Sequence, residues 1–146
     1  MTGPSLVMSR LASAVVFVVT GGVLFLSFWL VPDGAGHGTH TQLGLNPCSV
    51  LEWTGYPCPM CGMTTTFTLM AHGKVVTAFV NQPFGVVLFL ITVTTFVVSL
   101  VEMVRPRFVW KNIWEYMKRY EGRLVSAFFV GLVLGWAYKI WLMTDG

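Results

Sequence analysis

Cys58-Pro59-Met60-Cys61 sets two thiols three residues apart between long apolar runs, and Cys48 precedes them. Thiols at this spacing close a disulfide or supply half of a tetrahedral metal site. With Cys48 as a third ligand and His37 or His40 as a fourth, the set suits zinc. Met60 and Met63 add soft sulfur of the kind copper(I) favours. A second chemistry is thiol–disulfide exchange, with Cys48 as the relay thiol. A third is purely structural, the pair fixing a turn as a disulfide or as buried thiols. Covalent haem attachment is disfavoured, because Gly62 stands where the attachment histidine would be.

The neighbouring residues predict a helix over residues 60–72, with Gly73 ending it. Cys61 then falls in the first turn, where exposed N–H groups predict a lowered thiol pKa. Cys61, Thr65, Thr68 and His72 share one polar stripe, and Met63, Phe67 and Met70 an apolar one. The threonines either return hydrogen bonds to the backbone or line a polar groove. Cys61 and His72 lie roughly 16 Å apart on such a helix, so they cannot share a metal. His37 and His40 sit in the Gly-rich loop Asp33-Gly34-Ala35-Gly36-His37-Gly38-Thr39-His40. Residues 49–54 suggest one helical turn, and residues 74–80 one or two turns before Asn81-Gln82-Pro83.

These short elements need a scaffold. The chain has 146 residues, 55% hydrophobic and 10% charged, against about 25% charged in soluble domains. It is too apolar to cover itself with polar surface, so it belongs in a bilayer. Three runs, at about residues 11–31, 84–104 and 124–143, are long enough to cross a hydrocarbon core of about 30 Å. The first follows Arg10 but is longer than a signal-peptide core and leads into Pro32-Asp33, so an uncleaved anchor is expected. Pro83 suits the start of the second span. Lys139 lies near enough to the end of the third to snorkel. The helix after the thiols is too short to cross, which predicts a re-entrant or interfacial element packed on the spans.

Charge sets an orientation. Arg105, Arg107, Lys111, Lys118, Arg119 and Arg123 lie between the second and third spans, and Lys74 alone between the first and second. Positive loops stay in the cytoplasm. The amino terminus is therefore expected inside, and residues 32–82 outside. In a bacterium this means the inner membrane, with the thiols on the periplasmic or extracellular side. A cytoplasmic amphipathic helix is expected at about 108–121. Trp110, Ile113, Trp114, Met117 and Tyr120 take one face and Lys111, Asn112, Glu115, Lys118 and Arg119 the other. Ala127, Gly131 and Gly135 recur every four residues on the third span, and Gly21-Gly22 on the first offers an internal partner. A homodimer or larger membrane complex would use the same stripe. No basic run of nucleic-acid type and no Gly-rich phosphate loop occurs.

The run Gly55-Tyr56-Pro57-Cys58-Pro59-Met60-Cys61-Gly62-Met63-Thr64-Thr65, then Ala71-His72-Gly73-Lys74, then Ala78-Phe79 and Asn81-Gln82-Pro83-Phe84-Gly85, resembles a bacterial membrane family, domain of unknown function 2752. The resemblance covers about a third of the chain, from residue 48 to about 87. It implies a small multi-span protein with Cys-Pro-x-Cys-Gly-x-Thr before a helix and an Asn-Pro-like turn before the next span. Thr65, where many relatives have arginine, and the inserted Gln82 depart from the pattern. The resemblance brings no activity with it.

The expected fold is an all-α membrane protein of one domain, residues 1–146. It has three transmembrane helices, a short re-entrant or interfacial helix after the Cys-Pro-x-Cys turn, and a cytoplasmic amphipathic helix. The expected role is an accessory or scaffold subunit with an outward-facing structural thiol site, rather than an enzyme. Binding of zinc or copper and thiol–disulfide oxidoreduction are the alternatives.

Overall fold

The computed structural model describes residues 3–105 and 109–144. Among them the secondary structure is helical throughout. In chain order it comprises α1 (Gly3–Trp29), a 3-10 turn (Thr39–Leu43), α2 (Ser49–Thr54), α3 (Met63–Ala71), α4 (Val75–Asn81), α5 (Pro83–Val104), α6 (Val109–Arg119) and α7 (Glu121–Thr144). Segments Val7–Trp29, Pro83–Val104 and Glu121–Thr144 are long and apolar enough to cross a membrane. The chain is thus a multi-pass membrane protein whose spans fall where the apolar runs predict them.

α5 is the centre of the bundle, with α1 and α7 packed against it. Pro83 opens this helix at a position where its missing N–H is not needed. On the α1 side, Phe17 stacks on Phe96 with ring centroids 4.7 Å apart. The Phe96 ring also covers Gly21, where an added Cβ would lie 3.1 Å from it. On the α7 side, Gly131 and Gly135 make room for Phe84, and a Cβ at either would approach that residue to 2.7 or 3.0 Å. The small residues therefore do not pair with one another as the sequence suggests. Each set admits an aromatic ring from α5, while Gly22 meets nothing within 4 Å and Ala127 is exposed.

The segment between α1 and α5 folds back over one end of this bundle. Leu69 of α3, Ala78 of α4 and Val86 of α5 form a buried apolar cluster. Phe67 meets Phe89 edge to face at 5.4 Å. α3 starts three residues later than the sequence suggests, because Gly62 takes a φ of +87° and acts as its N-cap. At the other end of the bundle, α6 occupies most of the expected amphipathic helix. Its exposed Trp114 carries Lys118 5.3 Å above the ring. The side chains of Trp110 and Lys111, and Arg107 as a whole, lie outside the described residues.

The α5–α7 contact yields a direct test. Gly135→Val forces a branched side chain onto the Cβ of Phe84 and should destabilise the protein by about 1–3 kcal/mol. Gly22→Ala should stay within about 0.5 kcal/mol of the parent. Thermal unfolding in detergent measures both, and equal melting temperatures for the two variants would contradict this packing.

Candidate metal centre

Cys48, Cys58 and Cys61 converge. Their Sγ atoms all lie within 4.8 Å of one another, and all three are free thiols. Local backbone rules place each one. Cys48 is the N-cap of α2, and its carbonyl accepts the Glu52 N–H at 3.0 Å. Gly55, at φ +73°, stops α2 after six residues and turns the chain back. Pro57 and Pro59 keep the next stretch non-helical, and the Cys61 N–H closes a turn on the Cys58 carbonyl at 2.9 Å. The turn brings Cys58 and Cys61 together, and α2 returns Cys48 to them.

The thiols border a cavity of about 270 Å³, shared with His40, Met60 and Thr65. Nε2–H of His40 donates to the Asn46 carbonyl at 3.1 Å, which leaves Nδ1 as the basic ring nitrogen. His37 is engaged elsewhere, with Nδ1–H donating to the Ala35 carbonyl at 2.9 Å. Within the polar stripe, the Thr65 hydroxyl is buried and pairs with that of Thr39 at 2.7 Å. Thr68 donates to the Thr64 carbonyl at 2.8 Å, a local backbone bond. His72 leaves the site altogether. Its ring stacks on Phe28 at 5.6 Å, and Nδ1–H donates to the Thr68 carbonyl.

The three thiols differ electrostatically. The Leu51 amide holds Cys48 below the usual thiol range against a smaller desolvation effect, with help from the Cys58 thiol. Burial pushes Cys58 up, and its hydrogen bond to Cys48 adds to the shift. Burial pushes Cys61 up to about 11, reinforced by the negative charge of Cys58 and Cys48 and opposed by the Lys139 ammonium. This overturns the expectation of a lowered Cys61 pKa. Cys61 precedes the N-cap instead of occupying the first turn, and it is only 6% exposed. The lowered thiol is Cys48.

Several site-building residues escape sequence reading. Lys139 does not snorkel. It is 2% exposed, and Nζ donates to Asn81 Oδ1 at 2.7 Å and to the Gly36 carbonyl at 3.1 Å. Asn81 Nδ2 in turn donates to Thr66 Oγ1 at 2.8 Å and to the Gly62 carbonyl at 3.2 Å. Trp136 Nε1–H donates to the Pro57 carbonyl at 2.7 Å. Gln82 is fully buried. Its Nε2 reaches the Pro59 carbonyl at 3.5 Å, and its Oε1 has no hydrogen-bond partner among the described residues. The signals were present but faint: a lysine within an apolar run, and glycines at Gly36 and Gly62 that both adopt positive φ.

Residues 48–96 match the family described as "Protein of unknown function (DUF2752)", the family that the motif resembles. The matched segment runs from the first thiol through α2, α3 and α4 to Phe96, the residue of α5 that covers Gly21. No curated protein and no solved structure matches the chain.

Two outcomes follow from this geometry. In metal-free reduced protein at pH 8, Cys48 should alkylate first and Cys61 last. Raising the Cys61 pKa from 9.0 to about 11 makes its thiolate about a hundredfold scarcer. Site-resolved alkylation by mass spectrometry checks the order, and equal rates would contradict it. The fold favours the neutral Cys61 thiol, so this contribution is complete below pH 9.0 and is lost as pH rises toward about 11. Separately, a Cβ at Gly62 would sit 2.7 Å from the Gly36 carbonyl oxygen on a φ of +87°. Gly62→Ala should therefore cost about 1–3 kcal/mol in thermal unfolding, and an unchanged melting temperature would refute the close approach.

Proposed function

We propose that this protein is an accessory membrane subunit in which Cys48, Cys58 and Cys61 hold one thiophilic metal ion, zinc or copper(I), in a structural role. The observation that carries the reading is the approach of all three Sγ atoms to within 4.8 Å of one another. Three thiolates form a soft donor set that selects zinc or copper(I) over hard ions. Copper(I) would be held by the thiolates alone, and zinc would take a fourth ligand, for which His40, a residue lining the same cavity, is the candidate. Three thiolates outweigh the charge of either ion, and Lys139 supplies a neighbouring positive charge. An ion here would tie α2 to the turn before α3, and that turn is already tied to α7 by Trp136 directly and by Lys139 through Asn81.

Charge distribution supports an outward position for this site. Arg10 lies in the first turns of α1, Arg105 follows α5, Lys118 and Arg119 end α6 and Arg123 lies in the first turn of α7, all at the end of the bundle remote from the thiols. Lodging the cysteines on the outer side would leave bare thiols open to oxidation, and a bound ion protects them.

The test is elemental analysis of full-length protein purified reduced and without chelator. One zinc or copper per chain is expected, falling below about a tenth with Cys48→Ser, Cys58→Ser or Cys61→Ser. Occupancy should fall as pH is lowered, since protons compete for the thiolates. Removing the ion should lower the melting temperature. Metal-free protein that carries a Cys58–Cys61 disulfide, lighter by two hydrogens, would overturn the reading in favour of thiol exchange.

A further inference from the structure

A second cavity lies apart from the thiols. This open cavity of about 680 Å³ sits where the loop after α1, α4 and the last turns of α7 meet. Two cations line it, Lys74 and Lys139, with one carboxylate, Asp33. Asp33 is partly committed, because Oδ1 accepts the Ala35 N–H at 2.8 Å. Neither lysine forms an ion pair among the described residues. Lys139 is almost wholly buried inside a spanning helix, and both of its bonds go to neutral oxygens that belong to the cavity wall, the Gly36 carbonyl and Asn81 Oδ1. An ammonium has three donors, and an ionisable group within a span marks a ligand or ion site by default. The volume lies within the range of small-molecule sites.

We propose that this cavity binds the phosphate headgroup of an anionic phospholipid. Lys74 and the Thr77 hydroxyl offer donors at the rim, and Lys139 supplies positive charge from the floor. The rest of the wall favours a lipid over a free anion. Leu142 and Met143 of α7, with Val80 and Leu69, give the cavity an apolar side suited to glycerol and the first acyl carbons. Its depth fits as well. Spanning helix α7 ends at Thr144, one residue beyond Met143, so the cavity lies at headgroup level. The excess of lysine over carboxylate favours a net negative headgroup over a zwitterionic one. This site is separate from the thiol cavity, and its lipid does not depend on a bound metal.

Native mass spectrometry of the full chain released from detergent tests the assignment. The probes are phosphatidylglycerol, phosphatidylcholine and inorganic phosphate. One phosphatidylglycerol per chain should be retained, about tenfold more tightly than phosphatidylcholine, and Lys74→Glu should weaken it about tenfold. Lys74 is exposed, so this variant keeps the fold. Lys139→Gln should do the same, with thermal unfolding as the check that it folds. Equal retention of the two lipids, or phosphatidylglycerol binding unaffected by Lys74→Glu, would overturn the proposal. So would inorganic phosphate that binds as tightly as phosphatidylglycerol and displaces it, which would mark a site for a small free anion.

Discussion

Placing an ammonium inside a membrane-spanning bundle is costly unless polar atoms surround it. In this protein the surroundings are drawn from four places in the chain. Lys139 reaches the Gly36 carbonyl and Asn81 Oδ1, and Asn81 reaches Thr66 and the Gly62 carbonyl. The loop after α1, the turn carrying Cys61, α3 and the α4–α5 junction are thus held around one cation from α7. Gly36 and Gly62 both adopt positive φ at the point of closest approach, and a Cβ on either would strike this network. Gly62 of this network borders the thiol cavity, and Gly36, Asn81 and Lys139 border the lysine-lined one, so its geometry governs both.

The fold was legible where composition alone decides. Three apolar runs became three spans, and Pro83 marked the start of α5 as its missing N–H dictates. The short helices were also readable in outline, and Gly73, at a left-handed φ, follows α3 where the sequence ends it. Packing was not. Spacing of Gly131 and Gly135 signals that something approaches closely, but cannot say whether it is another glycine or an aromatic ring. Here Phe84 fills the space, and Phe96 does so at Gly21.

The site was legible in its residue types and less so in its geometry. Cys48, Cys58 and Cys61 could be named because thiols at short spacing have few other uses in an apolar chain. The electrostatic ranking among them could not, since it turns on a helix start three residues later than expected. Gly62 rather than a residue before it caps α3, which leaves Cys61 buried ahead of the helix. Asn81, Trp136 and Lys139 were illegible for another reason. Their partners lie 19, 79 and 103 residues away along the chain, and no local pattern encodes contacts at such separations.

That sequence separation has a consequence for biogenesis. α7 is made after α1 to α6, and it supplies the Lys139 and Trp136 bonds to the earlier loops. Until α7 inserts, the segment between α1 and α5 is held only by its packing on α1 and α5 and lacks the Trp136 and Lys139 bonds. Completion of the thiol pocket therefore waits for α7 to be made. A nascent chain stalled before residue 136 would hold all three cysteines and still have no finished pocket around them.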